Sequence, residues 1–163
     1  MCDYLSWLPP LVRLEDYGGD WSRYEDATYE YFWRDFVDSR PTFEGKRVGI
    51  VKEPRLNGKE FTFSHVVSKG PTEPDRLPDL RRYERIRWPR PMIEAAYTER
   101  VNRWENQTRR DRRVLIAVRD FSYLVVLADR KTHVLLWTAY YIEHEKRRER
   151  YEQEYLRFTK GKG

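Results

Sequence analysis

A histidine set in Phe61-Thr62-Phe63-Ser64-His65 is followed within 25 residues by Arg76, Arg81, Arg82, Arg85, Arg87 and Arg90, with Tyr83 and Trp88 interleaved. An imidazole exchanges a proton near neutral pH, and guanidiniums hold a phosphate and the charge that develops on it. Those are the parts that phosphodiester chemistry uses when no metal takes part. The same arginines serve equally as a plain RNA-binding face, or as intramolecular ion-pair partners in a very polar chain. On a helix, Arg81 and Arg85 repel by about a few tenths of a kcal/mol unless Asp79, Glu84 or a phosphate intervenes. A second group is Thr138-Ala139-Tyr140-Tyr141. Strand alternation predicts Leu136, Thr138 and Tyr140 on one face and Trp137, Ala139 and Tyr141 on the other, so two hydroxyls could donate to a phosphate oxygen. Threonine and tyrosine are also ordinary strand formers. His133 and His144 have no comparable basic company.

Positioning these groups falls to a succession of helices and strands. Asp20 is placed to cap a helix in which Trp21, Tyr24, Thr28, Tyr31, Phe32 and Phe36 recur at three- and four-residue spacing, ended by Ser39-Arg40-Pro41. Val48-Gly49-Ile50-Val51 reads as a short strand and Asn57-Gly58 as a hairpin turn. Glu60-Phe61-Thr62-Phe63 then reads as the next strand, which leaves His65 at a partly exposed strand end. Lys69 to Pro78 reads as a loop. Asp79 caps a helix over Leu80 to Trp88, interrupted at Pro89 and Pro91 and resumed through Ala96. Val101 to Glu105, Val114 to Val118, Tyr123 to Leu127 and His133 to Tyr141 read as strands, and the short loops between the last three make them antiparallel neighbours. A highly charged helix runs from Glu143 and brings Tyr151, Tyr155 and Phe158 near one another, with a frayed basic tail from Thr159 to Gly163. The expected class is α+β: helices followed by a curved antiparallel sheet of about four to five strands, then a C-terminal helix.

The chain's 163 residues suit one main core. Residues 1–46 hold ten acids and five bases and form an acidic, aromatic helical element, while residues 47–163 hold the other 27 bases and 17 acids. Between Arg76 and Arg113 lie twelve arginines, no lysine and six acids, a bias that favours bidentate phosphate contact and a polyanionic partner. Cys2 is the only cysteine, which argues against a disulfide framework and a cysteine-type zinc site and favours a reducing cytoplasm. No apolar run approaches the length of a membrane span and no signal-like segment opens the sequence, so a cytoplasmic protein without membrane contact is expected. There is no P-loop, dinucleotide fingerprint, HExxH or GxSxG, and the carboxylates show no metal-ligand spacing. Neither a metal nor a cofactor is expected.

Three strings in order, Phe61 to Lys69, Pro78 to Pro91 and Trp137 to Tyr141, resemble the phage-borne branch of the barnase–EndoU–colicin–RelE-like nuclease superfamily. The resemblance runs over about residues 47–158, makes 47–163 the nuclease domain and leaves 1–46 outside. It implies a metal-independent RNase fold in which substrate lies across the sheet and a 2′-hydroxyl attacks the adjacent phosphate. Carried onto this chain, it makes His65 the general base or acid, has Arg82 and Arg85 steady the phosphorane-like charge, and has Thr138 bind a phosphate oxygen. Lys69, Arg81, Trp88, Arg90 and Tyr140 are the expected nucleic-acid contacts. The expected function is an endoribonuclease leaving a 2′,3′-cyclic phosphate, a toxin or phage-associated effector. Its expected partners are RNA, with tRNA or rRNA as candidates, and a cognate inhibitor protein. The alternative is a non-catalytic RNA- or DNA-binding module using the arginine-rich face. A third reading makes this a protein-interaction subunit whose acidic N-terminal helix docks on its own basic sheet or on a basic partner, where it could act as a lid.

Overall fold

Two strands that are apolar at nearly every position form the centre of the sheet: β6 (Arg112–Val118) and β7 (Tyr123–Asp129). An uninterrupted apolar strand needs cover on both faces. In this computed structural model, which describes residues 5–72 and 75–161, both faces are covered. Val114, Ile116, Val118, Tyr123, Val125 and Leu127 point into the main core, while Leu115, Ala117, Leu124 and Val126 point into a smaller second one. β5 (Val101–Gln107) and β8 (Val134–Tyr141) flank them in an antiparallel meander. Two short strands, β1 (Thr42–Phe43) and β2 (Lys46–Gly49), bring the strongly curled sheet to six strands in the order β1-β2-β8-β7-β6-β5. The class is the expected mixture of helix and strand. The strand expected at Val48 to Val51 forms two residues earlier, as β2; the additions are β1 and the parallel pairing of β2 with β8 through Val48↔Val134 and Gly49↔Leu135. Among the described residues no strand pairs with the outer edge of β8 beyond Leu135, and the short helices α2 (Phe61–Val66) and α3 (Leu80–Glu84) pack there instead.

Helices close both cores. The helix Trp21–Trp33, here α1, starts as expected at Asp20, whose Oδ1 accepts from the Arg23 N–H at 3.2 Å. It buries Tyr24, Thr28 and Phe32, and Phe36 follows in a π turn over Arg34–Asp38. Tyr24 Oη donates to the Val12 carbonyl at 2.7 Å and Trp88 Nε1 to the Pro9 carbonyl at 2.9 Å. The N-terminal segment therefore shares one core with the sheet rather than standing beside it. A proline opens the helix Pro89–Glu94, here α4. The last helix, α5 (Glu145–Gly161), lays half-buried Tyr151, Tyr155 and Phe158 against the second core around Trp104 and Phe121. It continues past the expected fraying point, with Thr159 Oγ1 donating back to the Tyr155 carbonyl at 3.1 Å. Cys2, residues 73–74 of the predicted loop and residues 162–163 of the predicted tail lie outside the described residues.

Of the expected strand at Glu60 to Phe63, Glu60 is extended and Phe61 to Phe63 are helical. The segment carries two periods at once, because Thr62, Phe63, Val66 and Val67 also fall on one side of a helix. Burial of those four decides the matter, with Thr62 Oγ1 accepting from the Val51 N–H at 2.8 Å. His65 consequently sits in the last turn of α2, not at a strand end. The Asn57-Gly58 turn forms with φ of 53° and 75°, yet it closes only the single bridge Leu56↔Lys59. The predicted loop from Lys69 holds two-residue strands, β3 (Ser68–Lys69) and β4 (Leu77–Pro78), paired with each other. The helix expected to reach Trp88 stops at Glu84. In β8 a bulge sets Val126 opposite Thr138 but Leu127 opposite Leu136. Leu136 thus joins Ala139 in the main core while Trp137 turns to the second core with Tyr140, so simple alternation fails at one point.

Candidate nucleic-acid interface

Most of the predicted site residues meet where α2, α3 and β8 converge at the open sheet edge. α3 begins with Asp79 Oδ1 accepting from the N–H groups of Arg81 at 3.0 Å and Arg82 at 3.4 Å. Arg82 Nη1 donates to the Ser68 carbonyl at 2.6 Å, and its guanidinium lies 5.2 Å from the centre of the Tyr140 ring. Arg85 Nη1 donates to the Arg81 carbonyl at 3.0 Å, with the guanidinium 4.5 Å from the Tyr141 ring and 5.2 Å from Trp88. Arg81 pairs with Glu143 at 2.7 Å and stands 5.1 Å from the same Tyr141 ring. From α5, Arg148 donates to the Ile142 carbonyl at 2.7 Å and to Tyr141 Oη at 3.1 Å, its own guanidinium 5.5 Å from the ring. One tyrosine gathers three guanidiniums, and cation–π attraction offsets part of their mutual repulsion.

His65 enters the group through backbone. Its ring stacks on Phe61 at 5.8 Å and 22°, and its carbonyl accepts from Arg76 Nη2 at 2.8 Å. Arg76 also donates to the Gly70 carbonyl at 3.1 Å and to the Ser68 carbonyl. The Ser68 carbonyl therefore holds Arg76 and Arg82 together and ties the end of α2 to α3. Lys69 is exposed, 3.8 Å from Asp79. Thr138 is half-buried on the side of β8 that Tyr140 shares.

Three buried donors at this place have no hydrogen-bond partner among the protein's own groups: Arg82 Nε, Arg85 Nε and Tyr123 Oη. Asp79 Oδ2 stands 3.7 Å from Arg82 Nε, near enough to attract and too far to accept. Burial lowers the pKa of both guanidiniums, opposed by Asp79 at Arg82 and by Glu84 at Arg85. Tyr123 lies opposite Tyr141 in the hairpin, and its burial keeps the phenol protonated far above the usual range, while Arg85 and Arg82 pull the other way. Tyr140 is likewise held protonated by burial and by the hydrogen bond its hydroxyl shares with Tyr151. Two guanidiniums and a neutral phenol with donors to spare suit an oxyanion.

Two predicted contacts leave the group. Trp88 is 5% exposed, gives its indole N–H to Pro9 and stands edge-on to Tyr123 at 5.3 Å. It backs Arg85 and presents no face for a base, because the N-terminal segment covers it. Arg90 fastens α4 to the π turn, with Nε to Glu94 at 2.6 Å and Nη1 to the Asp35 carbonyl at 2.7 Å. The residues not foreseen are Tyr123 and Arg148; Tyr141 belongs to the expected strand group but was assigned no contact. Pairing the predicted strands end to end would have matched the two tyrosines; Arg148 carried no signal, since the docking of α5 is a tertiary matter. Among the described residues, no group of three or more His, Cys, Asp or Glu is placed to hold a metal ion. No described helix is long and apolar enough to cross a membrane. Comparison with protein-family models, with curated proteins and with solved structures gives no match.

Proposed function

We propose that this protein is a metal-independent endoribonuclease that seats a phosphodiester at the open edge of β8. The observation that supports this reading is the trio of buried, unspent donors, Arg82 Nε, Arg85 Nε and Tyr123 Oη, beside the guanidinium-stacked rings of Tyr140 and Tyr141. In the proposed reaction the substrate's 2′-oxygen attacks phosphorus and the bond from phosphorus to the 5′-oxygen breaks. The products are a 2′,3′-cyclic phosphate and a 5′-hydroxyl. One proton leaves the 2′-hydroxyl and one joins the 5′-oxygen. His65 serves one of these transfers, which contributes roughly 10²–10⁴-fold. Arg82 and Arg85 stabilise the added charge, Thr138 donates to a phosphate oxygen, and Lys69, Arg81 and Tyr140 hold the strand. A toxin or phage-associated effector acting on tRNA or rRNA in the cytoplasm, restrained by a cognate inhibitor protein, is the setting that goes with this chemistry.

One observation favours a second reading, a nucleic-acid-binding module without chemistry: the His65 ring is packed on Phe61, and Arg81 and Arg85 are already engaged by Glu143 and Glu84. Incubating the protein and its His65→Ala variant with tRNA and rRNA in EDTA separates the two. Cyclic-phosphate ends made by the wild type and abolished in His65→Ala, with thermal stability nearly unchanged, are the expected result. Intact RNA that nonetheless shifts in a low-salt gel assigns the protein to the binding module. Cleavage by His65→Ala at the wild-type rate removes His65 from the mechanism.

A further inference from the structure

The other end of the β7–β8 hairpin carries a second concentration of positive charge. Lys46, Arg109, Arg110, Arg112, Arg130 and Lys131 line an open groove of about 840 Å³ that holds two carboxylates, Asp111 and Asp129. Both acids are sunk below the surface, with side chains 0% and 9% exposed. Asp111 is taken up by Arg113 at 2.6 Å and Arg130 at 3.2 Å; Asp129 is taken up by Arg112 at 2.9 Å and Lys46 at 3.0 Å. Arg112 is further braced by Glu44 and Glu105, each at 2.7 Å. Buried acids thus fix an inner set of cations. Arg109, Arg110 and Lys131, exposed at the rim, form no ion pair among the described residues.

The two cationic regions are joined along one strand face. The β8 bulge brings Trp137 to the side that Thr138 and Tyr140 share, and Trp137 is flanked by Arg113 at 4.3 Å and Arg130 at 5.6 Å. The strand length separating the two ends is about 20 Å. A helically stacked strand advances ~3.4 Å along its axis per phosphate, so about six phosphates bridge that distance, and an extended strand bridges it with fewer.

We propose that the groove is a second phosphate-backbone site, so that one RNA strand runs along β8 from Arg82 and Tyr140 past Thr138 and Trp137 to Arg109, Arg110 and Lys131. This rests on the RNA reading of the first site. Continuity of cationic and aromatic side chains from one end of the strand to the other favours a long polyanion over an acidic protein segment, which the groove alone could also attract.

The test uses 2′-O-methyl RNA, which cannot be cleaved by this route, in lengths of about two and about twelve nucleotides, chosen to fall short of the span even when extended and to exceed it even when stacked. Fluorescence anisotropy is read for the wild type and for the combined Arg109→Gln, Arg110→Gln, Lys131→Gln variant, whose substituted side chains are exposed and whose melting point is expected to match the wild type. The wild type binds the longer RNA more tightly than the shorter. In the variant the longer RNA loses roughly 10- to 100-fold in affinity, its log–log salt slope falls by about 2, and the short RNA is unaffected. Equal affinity and salt slope for the longer RNA in both proteins overturns the second site while leaving the first intact. A wild type that binds neither length overturns the RNA reading itself, and with it the groove. Poly-glutamate displacing the longer RNA at lower charge concentration than unlabelled RNA assigns the groove to an acidic protein and overturns the proposal.

Discussion

Tyr123→Phe separates an anion cradle from ordinary packing, because both predict a more stable free protein and only the cradle predicts weaker RNA binding. The substitution removes one oxygen and keeps the ring that stands edge-on to Trp88 at 5.3 Å. That oxygen is fully buried and receives no hydrogen bond from, and gives none to, any protein group. A buried hydroxyl without a partner costs about 1–3 kcal/mol, so its removal is expected to stabilise the free protein by about 1 kcal/mol. For a domain of this size that raises Tm by about 2–4 °C. If Tyr123 donates to a bound phosphate, the same change forfeits a charge-assisted hydrogen bond worth about 1.5–3 kcal/mol, which weakens RNA binding roughly 10- to 150-fold. Urea denaturation gives the first quantity and anisotropy with uncleavable RNA the second. Stability up and affinity down is the signature of the cradle. Unchanged RNA affinity, whatever the stability, refutes the placing of a phosphate at Tyr123.

Asp35 in the π turn gives a pH test: burial raises its pKa to about 6, against the pull of Arg90 and Arg87. A folded-state pKa above the unfolded value of 3.8 means that ionisation opposes folding, so this group's penalty is absent below pH 4, grows as pH rises towards 6 and is complete above it. Asp35→Asn is accordingly expected to raise Tm at pH 7.5 and to leave it unchanged at pH 3.5; equal effects at both would show that charge is not the cause. Deleting residues 1–40 removes Tyr24, Phe32 and Phe36 from the main core. Each large aromatic lost from a core costs about 3–5 kcal/mol, and three exceed the margin of most domains. The truncated chain is expected to lose its cooperative thermal transition, and a sharp transition with raised RNA affinity would instead restore the helix as a lid.

The order of elements could be read from the chain because its signals are local. Asp20 caps α1 within one turn, the apolar runs of β6 and β7 are fixed by neighbours two residues apart, and the Asn57-Gly58 turn is set by its own backbone preference. Residue types likewise marked the arginine-rich stretch, and the strand ending in Tyr140-Tyr141 does meet it through Arg82 and Arg85. What the chain alone could not fix is which side chains remain available, since that depends on partners far away in sequence. Trp88 is closed off by Pro9, 79 positions earlier, and Arg112 is claimed by Glu44, 68 positions earlier. Whether Phe61 to Val66 coils or extends was settled by burial, because both periods fit the same six residues. The β8 bulge, a single extra residue, decides that Trp137 stands with Thr138 and Tyr140. Local propensity acts over a turn or a strand pair and chose the elements; desolvation and ion pairing sum over elements brought together by folding, and they alone left Arg82, Arg85 and Tyr123 with buried donors unspent where α3 packs on the sheet.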